Sequence, residues 1–338
     1  MRMECLSDGV GWHLGMFGRR RRIWEKCLGG KRLKKVLAVW FLILLIPYAV
    51  TLVWAEEAVG EVQEFTSLGK REVRRQRESG RESMDAEEYL IGVLAAQIPP
   101  EYGLEAVKAQ AVIARTYLYG IFGERSVIEE EELDLDYMEW KQMLERWGQR
   151  GAAKNYSLFQ KAVKETEGIG MQYEGQWLDA LFHQISAGRT RDGDRELFPY
   201  LVGVESRKDS EAEDYLGIFL FSEEDFAAKI REITESGEVA AANIFQSIQI
   251  VKKDAAGYVE KLQIAGNLYE GEQVQYALGL PSACFSITQE EGKIRIVTKG
   301  VGHGYGLSQY GAKAMADSGW KMEDILQYYY QNITLISE

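Results

Sequence analysis

The chain has 338 residues, of which 46% are hydrophobic, with 40 Lys and Arg against 52 Asp and Glu. This composition is typical of one or two folded domains and excludes a chain dominated by disorder. The charge is divided unevenly, because residues 1–35 carry a net +7 and residues 56–338 carry a net −19. A net-acidic main portion argues against binding to nucleic acid or other polyanions.

Residues 36–55 form an uncharged stretch of 20 residues, VLAVWFLILLIPYAVTLVWA. About 20 apolar residues can cross the hydrocarbon core of a membrane as a helix, and Pro47 does not prevent this. Because basic residues precede the stretch, we expect residues 1–35 to be a cytoplasmic tail and the chain after residue 55 to lie outside the cell membrane. The alternative is a cleaved signal peptide that ends near Ala55.

Residues 56–84 have the pattern of a charged linker, because the stretch GKREVRRQRESGRES contains almost no apolar residues. Folded pattern begins at Asp85, which can cap a helix whose third position is Glu88. We expect this helix to end before Pro99, since the residue before a proline avoids the α region. A second helix is predicted over residues 104–122.

The rest of the chain mixes both kinds of element. The acidic run EEEELDLD is predicted to be a solvated surface. Further helices are predicted over 137–147, 153–167, 223–233, 272–278, 308–318 and 323–330, and strands over 171–173, 177–185, 218–221, 247–251, 259–264, 284–288 and 293–298. Without regular βαβ alternation, the pattern predicts an α+β domain over residues 85–338, behind a single-pass N-terminal membrane helix.

The portion after residue 55 contains two histidines, His183 in FHQISAGRT and His303 in GVGHGYGLSQYGA. Flanking glycines allow a backbone to approach a ligand closely. The histidines are therefore either part of one polysaccharide cleft or two structural histidines. Two histidines without a nearby cysteine are too few for a structural zinc site, so no metal is expected. Cys284 has no intrachain partner there and is predicted to be a buried thiol.

Lys108 and Arg115 lie seven residues apart on the second predicted helix, so both project from one face. Alanines surround them. Two cations on such a helix could bind hydroxyls, carboxylates or a developing oxyanion. The alternative is a solvated basic face beside alanines that allow close packing.

Three groups of motifs carry a family resemblance: EEYLIGVLAAQIPPEYGLEAVKAQAVIARTYL, then FHQISAGRT with PYLVGVES, then GVGHGYGLSQYGAKAMA with ILQYYYQN. In this order, over roughly residues 85–335, they resemble the SpoIID/LytB family of stage II sporulation protein D. The resemblance implies a membrane-anchored lytic transglycosylase without a cofactor. Such an enzyme cleaves the bond between N-acetylmuramic acid and N-acetylglucosamine in peptide-free glycan, leaving a 1,6-anhydro end, during forespore engulfment.

This reaction requires a carboxylic acid that protonates the glycosidic oxygen. The resemblance places that acid at the end of the first helix, where this chain has Gln97, and an amide cannot be a general acid or base. Three accounts stay open: a glycan-binding scaffold without catalysis, catalysis by Glu101 or Glu105, and residual activity. The helix dipole favours ionised Glu105 and so opposes its role as the acid.

The resemblance also predicts the residues that bind the substrate, namely Lys108, Arg115, His183, Ser186, His303, Ser308 and Gln309. The expected partners are peptidoglycan glycan strands, together with other wall hydrolases or sporulation membrane proteins. A different class of function is a scaffold that recruits or enhances another wall hydrolase such as an amidase. A third is a sugar-binding lectin with no role in sporulation.

Overall fold

The computed structural model describes residues 71–77, 80–234 and 239–338. Its α-helices are α1 (Ala86–Gln97), α2 (Leu104–Phe122), α3 (Trp140–Glu165), α4 (Glu223–Glu232), α5 (Gly271–Leu278), α6 (Gln309–Asp317) and α7 (Met322–Tyr329). Its strands are β1 (Glu72–Arg77), β2 (Gly80–Asp85), β3 (Val127–Glu129), β4 (Ile169–Tyr173), β5 (Gln176–Trp177), β6 (Phe182–His183), β7 (Leu216–Phe221), β8 (Gln249–Lys253), β9 (Val259–Ile264), β10 (Asn267–Glu270), β11 (Phe285–Glu290), β12 (Lys293–Lys299), β13 (Leu307–Ser308) and β14 (Thr334–Ser337).

The strands form small sheets of two or three strands, with the orders β2-β1-β3, β14-β4-β5, β13-β6, β10-β9-β8 and β11-β12-β7. This mixture of helices and small sheets confirms the predicted α+β class. The predicted strand over 177–185 is wrong, because β5 stops at Trp177 and β6 covers only Phe182–His183. Between them the backbone N–H of Asp179 donates to the hydroxyl of Tyr200 at 3.0 Å, which takes the chain away from the sheet.

The predicted tail 1–35, the predicted span 36–55 and residues 56–70 of the predicted linker lie outside the described residues. Within the described ranges, none of the helices combines the length and apolar character needed to cross a membrane.

Helices α1 and α2 form the centre of the larger hydrophobic core. Asp85 accepts hydrogen bonds from the backbone N–H groups of Glu87 and Glu88, as its capping role predicts, and α1 ends ahead of Pro99. Helix α2 presents buried alanines that let neighbouring elements approach closely, namely Ala106, Ala109, Ala111 and Ala114. Helix α3, the sheet of β14, β4 and β5, and helices α6 and α7 pack around this pair. Gly148 breaks α3 at a φ of 66°, which accounts for two separately predicted helices.

The structure places two strands in the last part of the predicted linker: β1 (Glu72–Arg77) pairs antiparallel with β2 (Gly80–Asp85) and parallel with β3. Two of the arginines that suggested a solvated linker form ion pairs with Glu130 of the acidic run. Buried Arg75 donates to Glu130 at 3.1 Å and lies over the ring of Tyr137, and Arg77 donates to Glu130 at 3.0 Å. Ion pairing with Glu130 thus replaces solvation at Arg75, which is 2% exposed. The acidic run is exposed or half-buried throughout, as predicted for a solvated surface.

A second hydrophobic core is formed by helices α4 and α5 and by the sheets β10-β9-β8 and β11-β12-β7. In the sequence, the residues of this second core lie between the segment around His183 and the segment around His303, both of which contribute to the site. The two segments meet in the parallel strand pair β6–β13, in which His183 lies opposite Ser308. Cys284 is buried and free, as predicted.

Candidate functional site

A cleft of about 650 Å³ lies beside the end of α1, the middle of α2 and the glycine-rich loop of residues 300–306. Four of the predicted site residues line it: Gln97, His183, His303 and Gln309. The other lining residues are Ala96, Ile113, Ala114, Tyr117, Asp134, Leu135, Asp136, Asp179, Ala180, Leu181, Phe182, Gln184, Pro281, Val301 and Gly302. Because this lining contains three aspartates and no lysine or arginine, the cleft suits uncharged, hydroxyl-rich ligands better than anions.

Gln97 is the last residue of α1 and is half-buried at the cleft wall. Its Oε1 accepts a hydrogen bond from Nε2 of Gln110 at 2.9 Å. Gln309, the first residue of α6, donates from Nε2 to the backbone carbonyl of Gln97 at 2.9 Å and to Oε1 of Gln110 at 3.2 Å. Gln309 therefore satisfies one of the carbonyls that the end of α1 leaves without a helical partner.

The two histidine rings lie side by side, with centroids 5.8 Å apart. Both are held by Tyr305 of the glycine-rich loop. Nδ1 of His183 donates to the carbonyl of Tyr305 at 3.0 Å, and the N–H of Tyr305 donates to Nδ1 of His303 at 3.0 Å. Since a carbonyl only accepts, neutral His183 carries its proton on Nδ1, whereas neutral His303 carries it on Nε2.

Both histidines favour the neutral form. Burial, and secondarily the neighbouring His303, lowers the pKa of His183 to about 3. Loss of hydration in the cleft wall also lowers the pKa of His303. The two rings are therefore uncharged hydrogen-bonding groups near neutral pH.

The cationic pair on α2 lies away from this cleft. The guanidinium of Arg115 is 0% exposed and donates to both carboxylate oxygens of Glu87, at 2.7 and 2.6 Å. Lys108 contacts Glu105 at 3.2 Å and Glu165 at 2.7 Å. The two do share one helix face, as predicted, but this face is turned to the end of α3, and neither residue lines the cleft.

Ser186 and Ser308 are also buried, and both hold Asp209, a residue that sequence reasoning missed. Oδ2 of Asp209 accepts the backbone N–H of Ser186 at 2.7 Å and the hydroxyl of Ser308 at 2.7 Å. Burial raises the pKa of the Asp209 carboxyl. Because Ser308 caps α6 and precedes Gln309, Asp209 fixes the start of that helix at the cleft.

Neither predicted replacement for the acid lines the cleft. Glu101 is exposed on a 3₁₀ turn at Pro100–Tyr102, and Glu105 pairs with Lys108 and accepts the N–H of Met322 at 2.9 Å. The carboxylates that line the cleft are Asp134, Asp136 and Asp179. The sequence did not single them out, because the first two belong to the acidic run EEEELDLD, which was predicted to be a solvated surface, and the third lay in a predicted strand.

A family model described as SpoIID, stage II sporulation protein, matches residues 74–173. Stage II sporulation protein D of Bacillus amyloliquefaciens is 32% identical over 265 residues, which is 75% of this chain and 75% of that protein. The chain belongs to the stage II sporulation protein D family. The Bacillus subtilis stage II sporulation protein D is 31% identical over 76% of both chains. The amidase enhancer of Bacillus subtilis is a more distant relative, 25% identical over 73% of this chain and 40% of its own length.

Family membership bears on the site in one way. The matched segment contains α1 and α2, and so includes Gln97, which lines the cleft, and Gln110, which donates a hydrogen bond to Gln97. The histidines and Gln309 come from later in this family member and reach the cleft through the β6–β13 pair and the start of α6.

Proposed function

We propose that this stage II sporulation protein D relative has a sporulation-related role at the cell wall and binds peptidoglycan glycan strands in the cleft without cleaving them. The observation that carries the proposal is the side chain at position 97. It lines the cleft as an amide, where the family resemblance calls for a carboxylic acid. An amide forms hydrogen bonds but has no proton to transfer.

The surroundings of Gln97 support binding over catalysis. A group that transfers a proton must be within hydrogen-bond reach of the reacting oxygen. Glu101 and Glu105 do not line the cleft, and Glu105 is held by Lys108. The neutral histidines and the amide instead offer hydrogen bonds to sugar hydroxyl and acetamido groups.

The test of binding uses the purified full chain and peptide-free glycan strands in a sedimentation assay. Wild type is compared with His303→Ala, which removes a ring that lines the cleft, and with Arg207→Ala, which removes an exposed cation outside it. We expect His303→Ala to release several-fold more protein into the supernatant, and Arg207→Ala to behave like wild type. Equal sedimentation of all three proteins would argue against this cleft as the binding site.

A second candidate function is a scaffold that enhances a wall amidase, and the similarity to the amidase enhancer favours it. The same cleft could then hold the glycan while the amidase removes its peptides. The measurement is the rate at which a purified amidase releases stem peptides from peptidoglycan, with and without the full chain. An unchanged rate at saturating concentrations would exclude direct enhancement of that amidase.

We also propose that residues 36–55 anchor the protein in the cell membrane, with the cleft on the outer side. The support is the uncharged stretch and the basic residues that precede it. Protease added to intact protoplasts should remove the portion after residue 55 and leave a small membrane-bound fragment. Full protection from protease would contradict this topology.

A further inference from the structure

The side chains of Gln97, Gln110 and Gln309 and the backbone carbonyl of Gln97 form a closed hydrogen-bond network at the wall of the cleft, which we call the glutamine network. It links helices α1, α2 and α6. Gln110 is 0% exposed and Gln309 is 1% exposed, so water does not compete for their hydrogen bonds. Such buried amides hold defined orientations only when their donors and acceptors match.

One backbone group determines the orientation of all three amides. The carbonyl of Gln97 can only accept, so the Gln309 atom that lies 2.9 Å from it is the donor Nε2. The other proton of that NH2 group points to Gln110, whose facing atom must then be Oε1. Gln110 consequently turns Nε2 toward Gln97, and Gln97 must receive it with Oε1.

The side chain of Gln97 has one further polar atom, Nε2. No hydrogen-bond partner for it occurs in the described part of the chain, and it is not among the buried atoms that lack a partner. Gln97 itself lines the cleft. The network therefore leaves Nε2 as an N–H donor on a residue that lines the cleft.

We propose that Gln110 and Gln309 are positioning residues that hold Nε2 of Gln97 as a permanent hydrogen-bond donor to an oxygen of an uncharged sugar. This rests on the proposed glycan-binding function and specifies its chemistry. The ligand group is an acceptor, such as a hydroxyl, a glycosidic oxygen or the carbonyl of an acetamido group. An ionised carboxylate at position 97 would only accept and would face the same ligand oxygen with the wrong polarity.

The orientation can be tested in the free protein, without any ligand. We would label the full chain with ¹⁵N-glutamine and measure solvent exchange of the side-chain amide protons by NMR. Gln110 and Gln309 should exchange slowly, and Gln97 should exchange about as fast as Gln327, which is exposed on α7. A protected Gln97 amide beside a freely exchanging Gln110 amide would overturn the orientation.

The donor role is tested by titrating N-acetylglucosamine hexamer into the full chain by calorimetry between pH 4.5 and pH 8. Wild-type affinity should be constant over this range. Gln97→Glu keeps the acceptor for Gln110, but above the usual pKa of about 4.3 it is ionised, so we expect at least tenfold weaker binding at pH 8 than for wild type. Its affinity should recover as the pH falls. Wild-type affinity of Gln97→Glu at pH 8 would overturn the donor role.

The positioning role is tested with Gln110→Met, which removes the donor to Gln97 and preserves the length of the side chain. We expect about fivefold weaker binding, as for the loss of one oriented hydrogen bond, and altered exchange of the Gln97 amide. Gln327→Glu, an exposed glutamine outside the cleft, is the matched control and should bind like wild type. Unchanged affinity and exchange in Gln110→Met would overturn positioning.

The two failures are distinguishable. If wild type does not bind the hexamer, the proposed function is wrong for this ligand class, and the donor role falls with it. The amide orientation is then still decided by exchange in the free protein. If Gln110→Met does not fold, exchange in the wild type and the pH profile of Gln97→Glu still decide the proposal.

Discussion

Arg115 of α2 and Glu87 of α1 form a two-point ion pair, with guanidinium nitrogens 2.7 and 2.6 Å from the two carboxylate oxygens. The guanidinium also donates to the backbone carbonyls of Val163 and Ile169, so it joins both helices to the end of α3 and to β4. A charge buried in this way is a structural element of the core that supports the cleft from behind.

The first prediction follows from this pair. Arg115→Ala should lower the free energy of unfolding by about 3–5 kcal/mol, because it leaves Glu87 as a mostly buried, unpaired charge. Arg207→Ala, in which the removed side chain is 85% exposed, should change it by about 0.5 kcal/mol or less. Both changes in the free energy of unfolding would be measured by urea denaturation. A stable Arg115→Ala variant that has lost glycan binding would contradict the structural role.

The second prediction concerns the glycine-rich loop. A Cβ on Gly306 would lie 1.8 Å from the carbonyl oxygen of Leu181, next to the β6–β13 pair, whereas a Cβ on Gly319 meets nothing within 4 Å. Both residues have positive φ, 69° and 90°, so alanine strains the backbone at both by about 1–2 kcal/mol. Gly306→Ala should therefore be the less stable variant, by about 1–3 kcal/mol beyond Gly319→Ala.

Glycan sedimentation completes this comparison. Gly306→Ala should also weaken binding, since the β6–β13 pair places His183 at the cleft, and Gly319→Ala should bind like wild type. Equal stability and equal binding of the two variants would mean that the close approach at Gly306 has no consequence for the site.

The third prediction concerns Asp209, whose pKa is raised by burial. The unfolded chain loses this proton at a lower pH than the folded chain. The contribution of this carboxyl to the free energy of unfolding therefore falls as the pH rises from about 3.9 through the folded pKa. Asp209→Asn does not titrate. The destabilisation caused by Asp209→Asn should therefore be larger at pH 4 than at pH 7.

The measurement is urea denaturation of wild type and Asp209→Asn at pH 4, 5, 6 and 7. The difference between the two proteins isolates residue 209, because all other titrating groups are common to both. A destabilisation that stays constant, or that grows toward pH 7, would show that the pKa of Asp209 is not raised.

The sequence predicts the elements whose determinants are local. The cap at Asp85 and the prolines after α1 determine that helix within its own segment, and both ends of α2 agree with the prediction. The pairing of β1 with β2 could not be predicted, because the ion pair between Arg75 and Glu130 joins residues that are 55 positions apart in the sequence. Helical spacing likewise gave the shared face of Lys108 and Arg115, but not the acidic partners that cover it.

The same distinction between local sequence signals and partners distant in the sequence applies to the residues of the cleft. The motifs that carry the family resemblance contain Gln97, His183, His303 and Gln309, and the structure brings these four together. The supporting residues, Gln110 and Asp209, escaped notice, since their importance comes from burial and sequence patterns do not report the burial of a single polar side chain. A glutamine among buried alanines on α2 is the signal that could have indicated Gln110.

The central claim is that the cleft binds glycan and lacks the carboxylic acid that the family resemblance implies at position 97, and product analysis tests it most directly. Full-chain wild type and Gln97→Glu are incubated with peptide-free glycan strands, and mass spectrometry measures 1,6-anhydro-muramyl ends. Gln327→Glu serves as the control for an added carboxylate. We expect no such ends from wild type or the control, and measurable ends from Gln97→Glu. Anhydro ends produced by wild type would contradict the claim and would direct attention to the cleft carboxylates of Asp134, Asp136 and Asp179.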